Sequence, residues 1–409
     1  MGRLLTSKLV LIVLFGWQMA FNNSISMADS SFADFDRRAK EGAALSVVFF
    51  GGSLTWGANA SDPQRTSYRG LMGEYLIKKY PKSSITIHDA AIGGTGSKLG
   101  MFRLERDVLA YKPDLVFLDF TANDGPWSTD RNTLASYEIL LREMIGRSIA
   151  VEQVFFGFKF NFGAEYAPDK MFRVIDHKKL AAAYHTATGD IYPLIQDSIT
   201  SGRTPIDALW PIDSAHPDDS GYKLFFEAAR NGFEQAIADK RVCTVPAQPV
   251  FSDQYKTRQR IRLADQPLPA GWKVTRTYRT SLWFDGLSSR WMGDVIACDS
   301  KASAGVQPIT MKFNGTFVGF FGEADDNSLP FKATVDGQPL LYKADNKSEP
   351  TEIWPTSIKR LGVGRLFIWR ELSDSLAPGS HTLVLTPVFP EEGQPAGQLH
   401  IESICVAGE

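Results

Sequence analysis

The sequence predicts two architectures in series: an α/β half built on a mainly parallel sheet, then an all-β sandwich. Three observations predict this. Short apolar runs alternate with longer amphipathic ones from residue 45 to 240. Helical periodicity then vanishes beyond a weakly patterned, proline-containing stretch, CTVPAQPVFSDQ, at residues 243–254. At 409 residues the chain is long for one domain and comfortable for two.

In the first half, LSVVFF (45–50) has the unbroken apolar pattern of a strand covered on both faces. SYRGLMGEYLIKKY (67–80) has helical spacing. SITIHDA (84–90) reads as a strand, KLGMFRLERDVLAY (98–111) as a helix, DLVFLDF (114–120) as a strand and TLASYEILLREMIGRS (133–148) as a helix. VEQVFFGFKF (151–160) reads as a further strand, and DKMFRVIDHKKLAAAYHTAT (169–188) and GYKLFFEAARNGFEQAIADK (221–240) as helices. Such alternation implies crossover connections, a parallel sheet and helices on both its faces. In the second half, ITMKFNGTFVGFFGEA, FKATVDGQPLLYKA, RLFIWREL, GSHTLVLTPVF and QLHIESICVAG read as strands separated by turn signals such as NG, DG and APGSH.

The formal net charge of −2 gives no field that favours nucleic acid or an anionic membrane. Arg3 and Lys8 precede LVLIVLFGW, a run too short to span a bilayer, and small and polar residues follow it. This is the pattern of a secretory signal peptide over residues 1–28, cleaved after Ala28. The expected product is secreted or periplasmic, has no stable membrane insertion, and divides into an α/β domain at 29–243 and a β domain at 244–409. Cys243, Cys298 and Cys405 allow at most one intramolecular disulfide, and their order does not pick the pair. No spacing resembles a zinc site, so no metal is expected. Asn59, Asn314 and Asn346 are acceptors in a host that glycosylates.

In an open parallel sheet, ligands bind beyond the carboxyl ends of the strands. GGSLTWG with Ser53 follows the first strand, AAIGGTGS with Gly93 and Gly94 the second, and TANDGPW with Asn123 and Asp124 the third. PIDSAHPDDSGY, with Asp213 and His216, precedes the last helix. A serine hydroxyl needs an adjacent base to act as a nucleophile, which His216 can supply. Asp213, three residues earlier, can fix the imidazole tautomer. The backbone N–H groups of Ser53 and Gly94 and the side-chain amide of Asn123 are candidate donors to an oxyanion. Trp56, Trp127 and Trp210 stand on or beside these loops, and one of them is expected to touch substrate. Asp124 is expected to hold the Ser53 loop, and Arg65 either to contact substrate or, the stronger reading, to cap the following helix. His88, His177, His185, His381 and His400 are read as structural or exposed.

These blocks, in this order, resemble those of the SGNH hydrolases, the GDSL esterase/lipase superfamily, over about residues 45–240. The first block is Gly51-Gly52-Ser53, where the family usually has G-D-S. Gly94 matches the second block, Thr121-Ala122-Asn123-Asp124 the third (Thr121 standing where glycine is usual), and Asp213-Ser214-Ala215-His216 the last. The resemblance implies a flavodoxin-like three-layer α/β/α sandwich and ester hydrolysis through an acyl-serine, without metal or organic cofactor. It assigns Ser53 as nucleophile, His216 as base, Asp213 as its orienting carboxylate, and Ser53, Gly94 and Asn123 as the oxyanion hole.

The β half resembles the jelly-roll modules attached to secreted SGNH carbohydrate esterases. That implies an acylated carbohydrate or polysaccharide as substrate, most simply an O-acetylated one, with the module either binding sugar or serving as a packing partner. A lipase, a thioesterase and an acyltransferase share the same machinery. A carbohydrate-binding surface protein with an inert α/β half is the rival outside enzymes, and the intact Ser53, Asp213 and His216 argue against it. Oligomeric state is not legible in the sequence.

Overall fold

The computed structural model describes residues 30–280, 284–344, 347–358 and 364–408. The expected signal peptide and the acceptor at Asn346 lie outside the described residues.

The first half is built on five parallel strands: β1 (Ala44–Gly51), β2 (Ser84–Ala91), β3 (Leu115–Asp119), β4 (Ala150–Phe155) and β5 (Ala187–Asp190). Their spatial order is β2-β1-β3-β4-β5, the flavodoxin-like order. Central β1 is apolar on consecutive positions because helices cover both its faces, and Val47, Val48, Phe49 and Phe50 are fully buried.

The helices are α1 (Phe32–Glu41), α2 (Ser53–Trp56), α3 (Tyr68–Lys79), α4 (Ser97–Asp107), α5 (Arg131–Ile145), α6 (Phe172–Tyr184), α7 (Ile191–Thr200), α8 (Ile206–Leu209) and α9 (Asp219–Ala238). α1 and α3 pack with α9, whereas α4 packs with α5 and α5 with α6, giving the two outer layers. The fifth strand departs from the sequence reading, which ran residues 169–188 together as one helix. His185, in the left-handed region at φ +52, ends α6 and turns the chain into β5. β5 is four residues, ATGD, too short to carry a periodic signal.

The second half contains β6 (Arg258–Arg262), β7 (Lys273–Arg276), a short helix α10 (Ser288–Trp291), β8 (Asp294–Asp299), β9 (Ile309–Asn314), β10 (Phe317–Ala324), β11 (Phe331–Val335), β12 (Gln338–Pro339), β13 (Ile353–Trp354), β14 (Leu366–Ser373), β15 (Ser380–Pro387) and β16 (Gln398–Ala407). One antiparallel sheet runs β14-β10-β16-β8-β7 with β6 paired to β16, and the other runs β12-β11-β15-β9 with β13 on β11. They face each other across an apolar core in which Phe320 of β10 stacks on Phe331 of β11 at 4.9 Å between centroids.

β10 is buried at every position because its two faces serve different cores. Val318 and Phe320 point into the sandwich, while Phe317 and Phe321 join the core of the α/β half. Phe317 lies 5.4 Å from Phe102 of α4, so the two halves share packed side chains. The stretch after Cys243 is pinned as well: the N–H groups of Val250, Phe251 and Ser252 donate to buried Glu138. Cys243, Cys298 and Cys405 are all free and buried, so the single disulfide that their number allowed does not form.

Candidate active site

β1 delivers the chain to Ser53, the first residue of α2. This one-turn helix is fixed from behind. The Thr55 hydroxyl donates to Asp119 Oδ2 at 2.7 Å, and the buried Arg69 guanidinium donates to the carbonyls of Thr55, Trp56 and Pro63. Arg65, by contrast, is exposed, and Ser67 caps α3, so the expected cap is two residues away.

Ser53 Oγ lies 2.9 Å from His216 Nε2, and His216 Nδ1 lies 3.1 Å from Asp213 Oδ2. A proton on Nδ1 facing the carboxylate leaves Nε2 to accept from the serine hydroxyl. Asp213 is itself held in place. Its Oδ1 accepts the N–H groups of Ala215 and His216 at 2.7 Å each, and its Oδ2 accepts the Asn59 side-chain amide at 2.8 Å. Partial burial pushes its pKa up, but these hydrogen bonds, together with that from the His216 ring, outweigh it and lower the pKa to about 2. Asn59, at φ +67, also donates to the His216 carbonyl. As a possible glycosylation site it gave no sign of this role. The Lys159 N–H donates to the Ser214 carbonyl at 3.0 Å and fastens the same loop to the segment after β4.

The other loops converge on Ser53. Gly94 takes φ +73, the left-handed region that favours glycine, and the space beyond its α-carbon is empty. The half-buried Asn123 places its Oδ1 against Gly52, in the space a side chain there would need. Its amide nitrogen has no hydrogen-bond partner among the described residues. Thr121 anchors that loop from below, bonding the buried His177 ring at 3.0 Å. Asp124 holds the Gly94 loop rather than the Ser53 loop, accepting the Ser97 N–H at 2.9 Å. Burial raises its pKa to about 6 against the pull of Ser97.

The three tryptophans separate. Trp210 is 1 % exposed and packs against Phe162 and Phe225, so its place among the candidates for substrate contact is corrected: its rings are spent on the core. Trp56 is partly exposed beside Ser53. Trp127 is exposed and pairs at 5.7 Å with Phe160, also exposed, which the sequence reading did not single out. A second unforeseen residue comes from the β half. Asp285 Oδ2 accepts the Gly93 N–H at 2.6 Å across 192 residues of chain. A β-carbon on Gly93 would overlap that carboxylate and lie 3.2 Å from Ser53 Cβ. Among the described residues no group of three or more side chains is arranged to hold a metal ion.

A hydroxyl, an imidazole and a carboxylate hydrogen-bonded in series can transfer a proton from the hydroxyl as its oxygen attacks an electrophile. Residues 49–224 match the GDSL-like Lipase/Acylhydrolase family. No curated protein matches the chain. Among solved structures, the fold is similar to a two-domain esterase (CEX) active on acetylated mannans, co-crystallised with mannopentaose. That match has a TM-score of 0.65 and 20% identity, and covers 91% of this chain and 93% of that one. A second structure of a two-domain esterase (CEX) active on acetylated mannans matches with a TM-score of 0.65 and 19% identity, over 91% and 94% of the two chains. Axe2, an acetylxylan esterase from Geobacillus stearothermophilus, aligns over 47% of this chain and 96% of its own, with 20% identity and a TM-score of 0.39.

Proposed function

We propose that the protein, whose residues 49–224 match the GDSL-like Lipase/Acylhydrolase family, is a secreted serine esterase that removes short acyl groups, most simply O-acetyl, from a carbohydrate or polysaccharide. The observation that carries the reading is the hydrogen-bonded series Ser53–His216–Asp213 at the carboxyl edge of the parallel sheet. The similarity in fold to an esterase active on acetylated mannans supports the carbohydrate class.

In this reading His216 Nε2 takes the Ser53 proton as Oγ bonds to the ester carbonyl carbon. The oxyanion is met by the N–H groups of Ser53 and Gly94 and by the Asn123 amide. The C–O bond to the sugar then breaks, and the imidazolium returns the proton to the departing hydroxyl. Water repeats the sequence on the acyl-serine, releasing the carboxylic acid and restoring Ser53. Apart from the attacking water, every group named in this sequence is a side chain or amide of the chain itself. Partly exposed Trp56 and exposed Trp127 remain candidates for contact with the sugar.

The test is turnover of 4-nitrophenyl acetate, butyrate and octanoate by wild type and Ser53→Ala, alongside acetate release from acetylated mannan, xylan and pectin. Acetate release abolished by Ser53→Ala is expected. Wild type inert on every ester would overturn the enzyme reading, and preference for octanoate would replace it with a lipase. N-terminal sequencing of the exported protein checks cleavage after Ala28.

A further inference from the structure

We propose that Asp285 is a positioning residue of the esterase site, reaching from the β half to hold the Gly93–Gly94 turn so that the Gly94 amide faces the reacting carbonyl. The inference rests on the esterase reading above and assigns part of that site to the second half of the chain.

The turn needs an anchor. Two consecutive glycines have the widest backbone freedom of any pair, and an oxyanion donor loses its value when it wanders. The flanks are fixed by the first half: the Ile92 N–H donates to the Gly51 carbonyl at 3.0 Å, the Thr95 hydroxyl to the Ile92 carbonyl at 2.7 Å, and the Ser97 N–H to Asp124. Between those flanks, Asp285 takes the Gly93 amide. Gly93 and Gly94 share a peptide unit, so fixing the plane before Gly93 limits how the Gly94 N–H can swing.

Asp285 is well placed to do this because its own segment is held on both sides. The Trp291 indole donates to the Asp285 carbonyl, and the Phe367 N–H donates to the Gly286 carbonyl at 3.0 Å, tying the segment to β14. Toward the α/β half, Arg290 pairs with Asp89 of β2 at 3.1 Å with both side chains largely buried, and Arg106 of α4 donates to the Arg290 carbonyl at 3.0 Å. The segment is therefore a strut between the β sandwich and the loop beside Ser53. Burial pushes the Asp285 pKa up, against the pull of the Gly93 amide and Arg290. A carboxyl oxygen accepts from this amide in either protonation state, so the role lies in the hydrogen bond rather than the charge.

The distinction sets the experiment, run on the full chain with 4-nitrophenyl acetate. Asp285→Leu, similar in size but without an acceptor, is expected to lower kcat by about 10- to 100-fold, the scale of a small misplacement in a reacting site, with KM changed far less. Asp285→Asn keeps an oxygen acceptor and is expected to recover most of that loss. Hydrogen exchange at the amides of residues 92–96 should quicken in Asp285→Leu and not in Asp285→Asn. Asp285→Ala serves as the acceptor-free variant if the leucine does not fold. Wild-type kcat in the acceptor-free variant, or an equal loss in Asp285→Asn, overturns the proposal. Absence of ester turnover in the wild type removes the esterase reading itself, and that result is distinct from either.

Discussion

Gly52 and Asn123 compete for one space: a β-carbon built on Gly52 would overlap Asn123 Oδ1. In this structure Gly52 therefore leaves open the space that the Asn123 carboxamide fills beside Ser53. Restoring a side chain here should do harm. Gly52→Ala and Gly52→Asp are expected to lower kcat by about 10²-fold or more, the typical effect of losing one oxyanion donor. Melting temperature should change little in Gly52→Ala. Full activity in Gly52→Asp, measured on 4-nitrophenyl acetate, would show that Asn123 does not act from this position.

Asp213 directs the tautomer of His216 through chemistry that an amide cannot copy. In Asp213→Asn the remaining oxygen would still be drawn to the N–H groups of Ala215 and His216, now met by Oδ1. The amide NH₂ would then face Nδ1 and force the ring proton onto Nε2, toward Ser53. A loss in kcat of about 10⁴-fold is expected, with KM nearly retained, as for other triads given the wrong tautomer. Steady-state kinetics decide it; a loss below tenfold would count against the assigned series.

Much of this site is legible in the sequence because three of its loops follow strand ends and the fourth, with Asp213 and His216, directly precedes the last helix. The run VVFF marks β1, so Ser53 falls at its carboxyl edge, and Gly94 and Asn123 follow the next two strands in the same way. The supports are illegible because they come from afar. Asn59 meets Asp213 across 154 residues and Asp285 meets Gly93 across 192, and neither pair leaves a local pattern. Trp210 looked like a cleft residue by its place in the chain; its burial depends on Phe162 and Phe225, which arrive from other elements. β6, RQRIR, leaves no strand pattern in the sequence because it has one apolar residue and, among the described residues, pairs only with β16.

Buried Asp119 gives stability a pH dependence of known sign. Burial raises its pKa to about 7, against the Thr55 hydroxyl bond that lowers it and with Asp124 reinforcing the rise. In the unfolded chain the same group titrates near about 3.9. Its contribution is therefore fully present below about pH 4 and is lost as pH rises through about 7, because the unfolded state releases the proton first. Urea midpoints of wild type minus those of Asp119→Asn should fall steadily between pH 4 and pH 7.5. A constant difference across that range would mean that Asp119 does not hold its proton in the fold.

The three thiols should behave as inert core groups. Burial raises the pKa of Cys243 to about 11 and those of Cys298 and Cys405 to about 12, which suppresses the reactive thiolate. Thiol titration is expected to find no reactive group in the native protein and all three after denaturation, with or without prior reduction. A reductant-dependent melting temperature would show a disulfide and count against three free thiols.

The shared core should make the two halves unfold as one cooperative unit. Phe102 of α4 lies 5.4 Å from Phe317 and 6.0 Å from Trp369, so truncating it opens a cavity walled by both halves. Lys98, on the same helix, reinforces the contact through Glu371 and Asp374. Phe102→Ala is expected to cost about 3–5 kcal/mol, as for other buried aromatic truncations. Because the cavity borders both cores, calorimetry should show a single transition in wild type that moves to lower temperature as a whole in the variant. Two resolved transitions, with Phe102→Ala shifting only one of them, would mean that the β sandwich folds independently of the α/β half.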